Sequence, residues 1–435
     1  MDETSLIALF ERAVASRPPT PHLVAESVRL GRRLRLRRRL AAAAASAVVV
    51  GLIAAVAPIA FGARSRPTPA ARRHTAVPET VYSASSNGLV TPIRVAGNVA
   101  RPGIQIARMV DLGTPLAVAP GGKVLYAASA FGEITPINLS TDTAGRPMRV
   151  ASHELGTILI TPDGRTAYVT EAGAGVIPVN LARGRPGRLI RTAESQIVIT
   201  PDGKTIYAFD NYSSYVLPIR TATNTPLKPI PIGGRREGTM DIAVSPDGAK
   251  VYALSGSPSK YGGQITPIST ATNTAQQPIS VSGSVMDIAI SPTGRIAYVT
   301  DYTRQHRYVL LPVDLASRKV LRPIRLPSQF WDFTSLVFAP DGSTAYIAIG
   351  SPGTHRGTEV VRIRTATDTA LAPVHLPVSR PSLIAVSPDG STVYVSGELV
   401  SDWLKYAVFP IRTGANNAGR PVAVPENPVA LEFAP

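Results

Sequence analysis

Between Ile160 and Thr170 the chain reads ITPDGRTAYVT, and it says nearly the same thing six more times. The copies are ITPDGKTIYAF, VSPDGAKVYAL, ISPTGRIAYVT, FAPDGSTAYIA, VSPDGSTVYVS and an earlier, looser VAPGGKVLYAA. In five of the seven Pro-Asp-Gly, and in the others Pro-Thr-Gly or Pro-Gly-Gly, marks a tight turn between two runs of β-branched and aromatic residues, the pattern of a β-hairpin. The turn prolines are Pro120, Pro162, Pro201, Pro246, Pro292, Pro340 and Pro388, separated by 42, 39, 45, 46, 48 and 48 residues. Self-similarity near this period is the mark of a four-stranded propeller blade. A repeat of that kind excludes ordinary globular alternatives before composition is consulted.

A second phrase follows each hairpin: ITPINLSTDTAGRPMRV, VLPIRTATNTPLKPIPI, ITPISTATNTAQQPISV and five relatives. It supplies a third strand, a Thr/Asn/Gly turn and a short proline-bearing fourth strand. The sequence ends on NPVALEFAP, a first strand with no hairpin partner, and residues 80–95 begin with second and third strands that lack a first. Joining the two closes a ring through one composite blade. The expectation is an all-β, eight-bladed β-propeller over residues 80–435, with a seven-bladed ring as the alternative. Prolines in the third strand (Pro92, Pro136, Pro178, Pro218, Pro267, Pro312, Pro410) are unusual, because an interior strand needs its N–H groups. They require a bulge, or a fourth strand too short to use the missing donor.

These phrases together, TPDGRTAYVT with TPISTATNT, resemble the YVTN family of β-propeller repeats over residues 80–435. The resemblance implies a microbial cell-surface or periplasmic propeller. It implies no reaction, since propellers host many unrelated activities. Related propellers include lactone hydrolases, lyases and quinone-dependent dehydrogenases, and no residue set here matches their sites.

The formal charge of +16 is unevenly spread: residues 1–79 carry +8 and the remaining 356 residues another +8. Seven arginines between Arg29 and Arg39 precede an uncharged run, Ala41 to Ala63, long enough to cross a ~30 Å hydrocarbon core. The positive-inside rule keeps the preceding segment in the cytoplasm. The expected organisation is a basic cytoplasmic tail at 1–39, a single transmembrane helix at 40–63, a Pro/Ala-rich linker at 64–79 and an extracytoplasmic propeller anchored at the cell membrane. A cleaved signal peptide and a soluble chain are the rivals. The arginine run reads as a topology signal, so no specific nucleic-acid partner is expected. With no cysteine, disulfides and thiolate metal sites are excluded.

No HExxH, GxSxG, Walker or GxGxxG motif is present, and none of the six histidines stands at metal-ligand spacing from another. His153-Glu154 reads as an exposed loop pair, and the aspartates of the PDG turns read as turn formers. Propeller topology puts the uniform PDG and TATNT turns on one face and the variable loops on the other. The variable set contains Trp331, Trp403, Tyr212 and Tyr215, suited to a wall component, a peptide or a protein partner. Five residues before each turn proline, where strand one enters the channel, five consecutive blades offer a polar group: Thr157, Gln196, Asp241, Asp287 and Ser335. Asp241 and Asp287 each stand in the phrase MDIA, and two carboxylates at one channel mouth could hold a divalent cation such as Ca2+. The sequence itself requires no cofactor. The first functional expectation is a binding or scaffold module. The alternative is a metal-assisted lactonase- or lyase-like enzyme at the channel mouth, and the sequence leans against an enzyme.

Overall fold

The computed structural model describes residues 80–434, apart from 110–114, 193–195, 210–212, 233–237, 258–259, 304–306, 327–331, 351–356 and 402–404. The proposed tail, span and linker lie outside the described residues, as do Trp331, Trp403 and Tyr212. Among the described residues no helix is long and apolar enough to cross a membrane.

The described residues form eight antiparallel sheets, the blades of an eight-bladed β-propeller. Seven are continuous in sequence. In chain order their second strands are Val124–Ala128 (blade 1), Thr166–Glu171 (blade 2), Thr205–Phe209 (blade 3), Lys250–Ser257 (blade 4), Ile296–Tyr302 (blade 5), Thr344–Gly350 (blade 6) and Thr392–Leu399 (blade 7). The eighth is composite. Pro428–Ala434 pairs antiparallel with Thr80–Ser85, Leu431 facing Ser83, and Thr80–Ser85 pairs in turn with Leu89–Arg94. The sequence expectation of a closing strand supplied by the far end of the chain therefore holds.

The apolar core is divided in the same way. Eight clusters of buried residues each fill one gap between adjacent blades. The gap between blade 7 and the composite blade holds Tyr394, Val408 and Val422 against Val81 and Ile93. Each fully buried aliphatic or aromatic side chain contributes about 1.5–3 kcal/mol. Every blade is therefore stabilised mainly by its two neighbours, and the ring has no apolar face left over at the junction.

The turn chemistry explains why the repeated phrase is so uniform. Thr161 donates its hydroxyl to Asp163 at 2.6 Å, and the Arg165 amide donates to the same carboxylate oxygen at 3.0 Å. Thr200 with Asp202, Ser245 with Asp247 and Ser387 with Asp389 repeat this at 2.5–2.7 Å. The glycine that follows has a left-handed backbone, φ +70° at Gly203, where a Cβ would also lie 2.5 Å from Cδ of Pro162 on the preceding blade. Proline of one blade and glycine of the next thus pack together.

The third-strand prolines cause no bulge in their own strand. Pro178 faces Tyr168 in unbroken register, and its carbonyl accepts the Gly187 amide at 2.7 Å. Its missing N–H therefore points at the fourth strand. That strand is split into Arg185–Pro186 and Ile190–Arg191, with a gap opposite the proline. The same split recurs around the ring, and Pro147, Pro229, Pro278, Pro323, Pro373 and Pro421 fall in the gaps. Bulges occur in the first strands, at Gly156-Thr157, Met240, Met286, Ser379, Ser382 and Val429, and at the loop end of the blade 4 hairpin, away from any third-strand proline.

Candidate functional site

The first-strand bulges set the geometry of the polar belt. Thr157, Asp241, Asp287 and Ser335 are 2–5 % exposed, so they pack between inner strands; Gln196 is half-buried. Asp241 Oδ2 accepts the Ile288 amide of the next blade at 3.0 Å. Asp287 in turn accepts from the Leu336 amide and the Ser335 hydroxyl of the blade beyond. The two carboxyls also hydrogen-bond each other, which requires a proton on one of them. Burial is the largest cause holding Asp241 well above the usual carboxylate range, followed by the charge of Asp287; burial raises Asp287 as well. The structure thus brings Asp241, Asp287 and Ser335 into one chain of contacts across three blades. Asp287 Oδ1 has no partner among the described residues. No group of three or more His, Asp or Glu side chains converges at metal-binding spacing among those residues either.

Two further buried carboxyls carry no sequence signal of the MDIA kind. Asp301, at the loop end of blade 5's second strand, accepts from the Ser284 and Tyr302 amides, and burial pushes it up to about 7. Its carboxylate occupies the space over Gly283, where φ is +88° and a Cβ would lie 1.9 Å from Oδ1. Glu432, in the closing strand, accepts from the Val118 amide of blade 1 and is pushed up to about 8 by burial. A charged residue inside a first-strand run, where other blades have alanine, leucine or valine, is the signal that could have found it. His153 contacts Glu171 rather than its neighbour Glu154: Glu171 Oε1 lies 3.1 Å from His153 Nδ1 and accepts the Ser152 and His153 amides.

The two faces of the ring differ. On the turn face, five second-strand tyrosines reach the neighbouring blade. Tyr82 donates to Asp142 at 2.7 Å, Tyr168 to Asn224 at 2.5 Å, Tyr207 to Asn273 at 2.7 Å, Tyr298 to Asp368 at 2.5 Å and Tyr394 to Asn98 at 2.8 Å. These acceptors have φ near +50°, a left-handed conformation that Asn and Asp tolerate best among non-glycine residues. That face is committed to holding blades together.

The loop face is uneven. Sixteen residues separate Pro120 from Pro136 and Pro162 from Pro178, but twenty-two separate Pro388 from Pro410. The added residues lengthen strands at the loop end: Lys250–Ser257 and Lys260–Ser269 in blade 4, Val378–Val386 and Thr392–Leu399 in blade 7. At ~3.3 Å per residue, two or three extra residues raise the rim by roughly 7–10 Å on that side. On the lower side, Phe131 at the loop-end turn of blade 1 is 55 % exposed, and Tyr215, opening the third strand of blade 3, is 38 % exposed. Tyr215 belongs to the aromatic set read from the variable loops. Phe131 was missed because its turn, SAFGE, is short.

No protein-family model matches the sequence, and no curated protein matches it. Solved structures do share the fold. Kuenenia stuttgartiensis hydrazine synthase aligns over 70 % of this chain and 97 % of its own, with TM-score 0.54 and 20 % identity. Dihydro-heme d1 dehydrogenase NirN in complex with DHE aligns over 82 % of this chain and 76 % of its own, with TM-score 0.63 and 16 % identity. The Myceliophteria thermophila Cps50 (Swd1) β-propeller domain aligns over 65 % and 93 %, with TM-score 0.50 and 15 % identity. At these identities the likeness concerns the fold alone.

Proposed function

We propose that this chain is a binding module, a propeller that seats a wall component, a peptide or a protein on its loop face. The observation that carries the reading is the contrast between the faces. One is occupied by repeated Asx turns and inter-blade tyrosine bonds, while the other joins a raised rim to exposed aromatics at Phe131 and Tyr215. Aromatic side chains on a rigid frame supply contact area at low entropic cost. Anchorage through residues 40–63, with the propeller outside the cytoplasm, is part of the same proposal. It is supported by the arginine run before the uncharged segment and by the YVTN-type resemblance.

The metal-assisted enzyme reading gains no support from the geometry of Asp241 and Asp287. Both are buried, bonded to each other and to backbone amides, so a substrate has no open carboxylate to meet. The test of the binding reading is equilibrium binding of the full chain to a soluble wall digest and to envelope-derived peptides. The Phe131→Ala/Tyr215→Ala pair is expected to weaken binding about tenfold, near 1.4 kcal/mol. A Thr141→Ala/Thr223→Ala pair on the turn face is expected to leave it unchanged. Equal loss from both pairs, or no binding by the wild type, would refute the proposal.

A further inference from the structure

The outermost strand of blade 2 carries a row of cations. Arg183, Arg185, Arg188 and Arg191 are all exposed, and no acidic residue occurs between 172 and 193. Arg146 and Arg149, on the outer strand of blade 1, are exposed too. The two outer strands adjoin, because the position of a Cβ on Gly184 would lie 3.0 Å from Sδ of Met148. None of these six arginines has an ion-pair partner among the described residues. Asp142, on the same side of blade 1, is already held by Arg101 at 2.8 Å and by Tyr82.

Charged side chains on an edge strand often serve only to prevent edge-to-edge pairing. That role does not explain this row. The outer strand of blade 4, Thr274–Ala275 and Ile279–Val281, is an edge too, yet no charged residue occurs between 262 and 281, and one cation from blade 5, Arg318, reaches its Gln277 and Pro278 carbonyls. Splitting of the fourth strand and its proline already blunt every edge. Arg185 and Arg191 face Asn180 and Gly175, five residues apart on the third strand, so they lie about 17 Å from each other with Arg188 between them, roughly 8 Å from each along the backbone. That is about one Debye length at 0.1 M salt, so the charges repel one another unless a polyanion runs along them.

We propose that the outer edge of blade 2 is a docking strip for a linear phosphate-bearing polymer. Arg183, Arg185, Arg188 and Arg191 follow one another along one outer strand with Arg146 and Arg149 on the strand beside it, an arrangement that suits an extended chain. No aromatic residue lies between 172 and 193, so bases would find no stacking platform. Guanidinium groups pair with phosphate oxygens in a two-point fork. The strip is separate from the loop face and stands or falls independently of it.

The experiment is binding of the full chain to long-chain inorganic polyphosphate across a series of salt concentrations. The comparison variant is Arg183→Gln/Arg185→Gln/Arg188→Gln/Arg191→Gln. A second variant, Lys319→Gln/Arg322→Gln/Arg325→Gln, removes exposed cations from the outer strand of blade 5. Counterion release predicts that the blade 2 variant binds about tenfold or more weakly at 0.1 M salt, and that its log–log salt slope falls by about 3. The blade 5 variant should stay within about twofold of wild type. Unchanged binding by the blade 2 variant would assign the polymer to the Arg29–Arg39 run and overturn the proposal. So would equal loss in both variants, which would signal net charge alone. Tighter binding to single-stranded DNA or to anionic vesicles than to polyphosphate would overturn it as well.

Discussion

A tyrosine hydroxyl and a left-handed Asn or Asp form the joint between blades, and two blades show what happens when the acceptor is absent. Blade 2 has Gly184 and blade 5 has Arg318 where the other six have Asn or Asp, and Tyr126 of blade 1, which faces Gly184's blade, has no side-chain partner among the described residues. Tyr168→Phe should therefore cost about 1 kcal/mol, and Tyr298→Phe about 2 kcal/mol because its acceptor is a carboxylate. Tyr126→Phe should change stability by less than about 0.5 kcal/mol. Urea unfolding of the three variants checks the ranking; equal losses at all three positions would show that the bonds contribute nothing beyond ring packing. Much of this was legible in the sequence. Tyrosine recurs in every hairpin phrase, and the TATNT turn names the acceptor. The pairing itself was not legible, because it joins residues 56–70 apart within the chain and 296 apart across the closure.

The closing strand, Pro428–Ala434, is the element on which the ring depends, and it contains a buried acid. Glu432 is protonated in the folded chain up to about pH 8, whereas an unfolded glutamate ionises near ~4.3. The stability it contributes is therefore fully present below ~4.3 and is lost as pH rises through about 8. Asp301 adds a change of the same sign through about 7. Asp163 and Asp247 act oppositely: hydrogen bonds from Thr161 and Ser245 hold them below the usual range, so their contribution is lost in acid. The melting temperature should fall between pH 5 and pH 9, and Glu432→Gln should fall less. A wild type and variant with parallel profiles would remove Glu432 from this account. The composite blade was readable from two sequence fragments that each lacked what the other supplied. The bulges in the first strands were not, because the repeat phrase keeps its spacing through them.

At the scale of the whole molecule, blade number and strand order follow from repetition, while the site does not. Asp241 and Asp287 were visible as a repeated phrase, but whether carboxyls at a channel face water or a neighbouring strand depends on the bulge that turns them. Here they face the next blade and stay buried. The raised rim was present in the sequence as unequal proline spacing, and propeller topology already put the added residues on the loop face; that they extend strands was not legible. The central claim is that ligand sits on the uneven loop face and the turn face holds the ring together. Hydrogen exchange of the full chain, with and without a saturating wall-digest or peptide fraction, reads both faces at once. The account predicts new protection at the loop ends of the hairpins, around Phe131, Tyr215 and Lys260–Ser269, with none at the PDG and TATNT turns. Protection confined to those turns, or spread evenly over all eight blades, would contradict it.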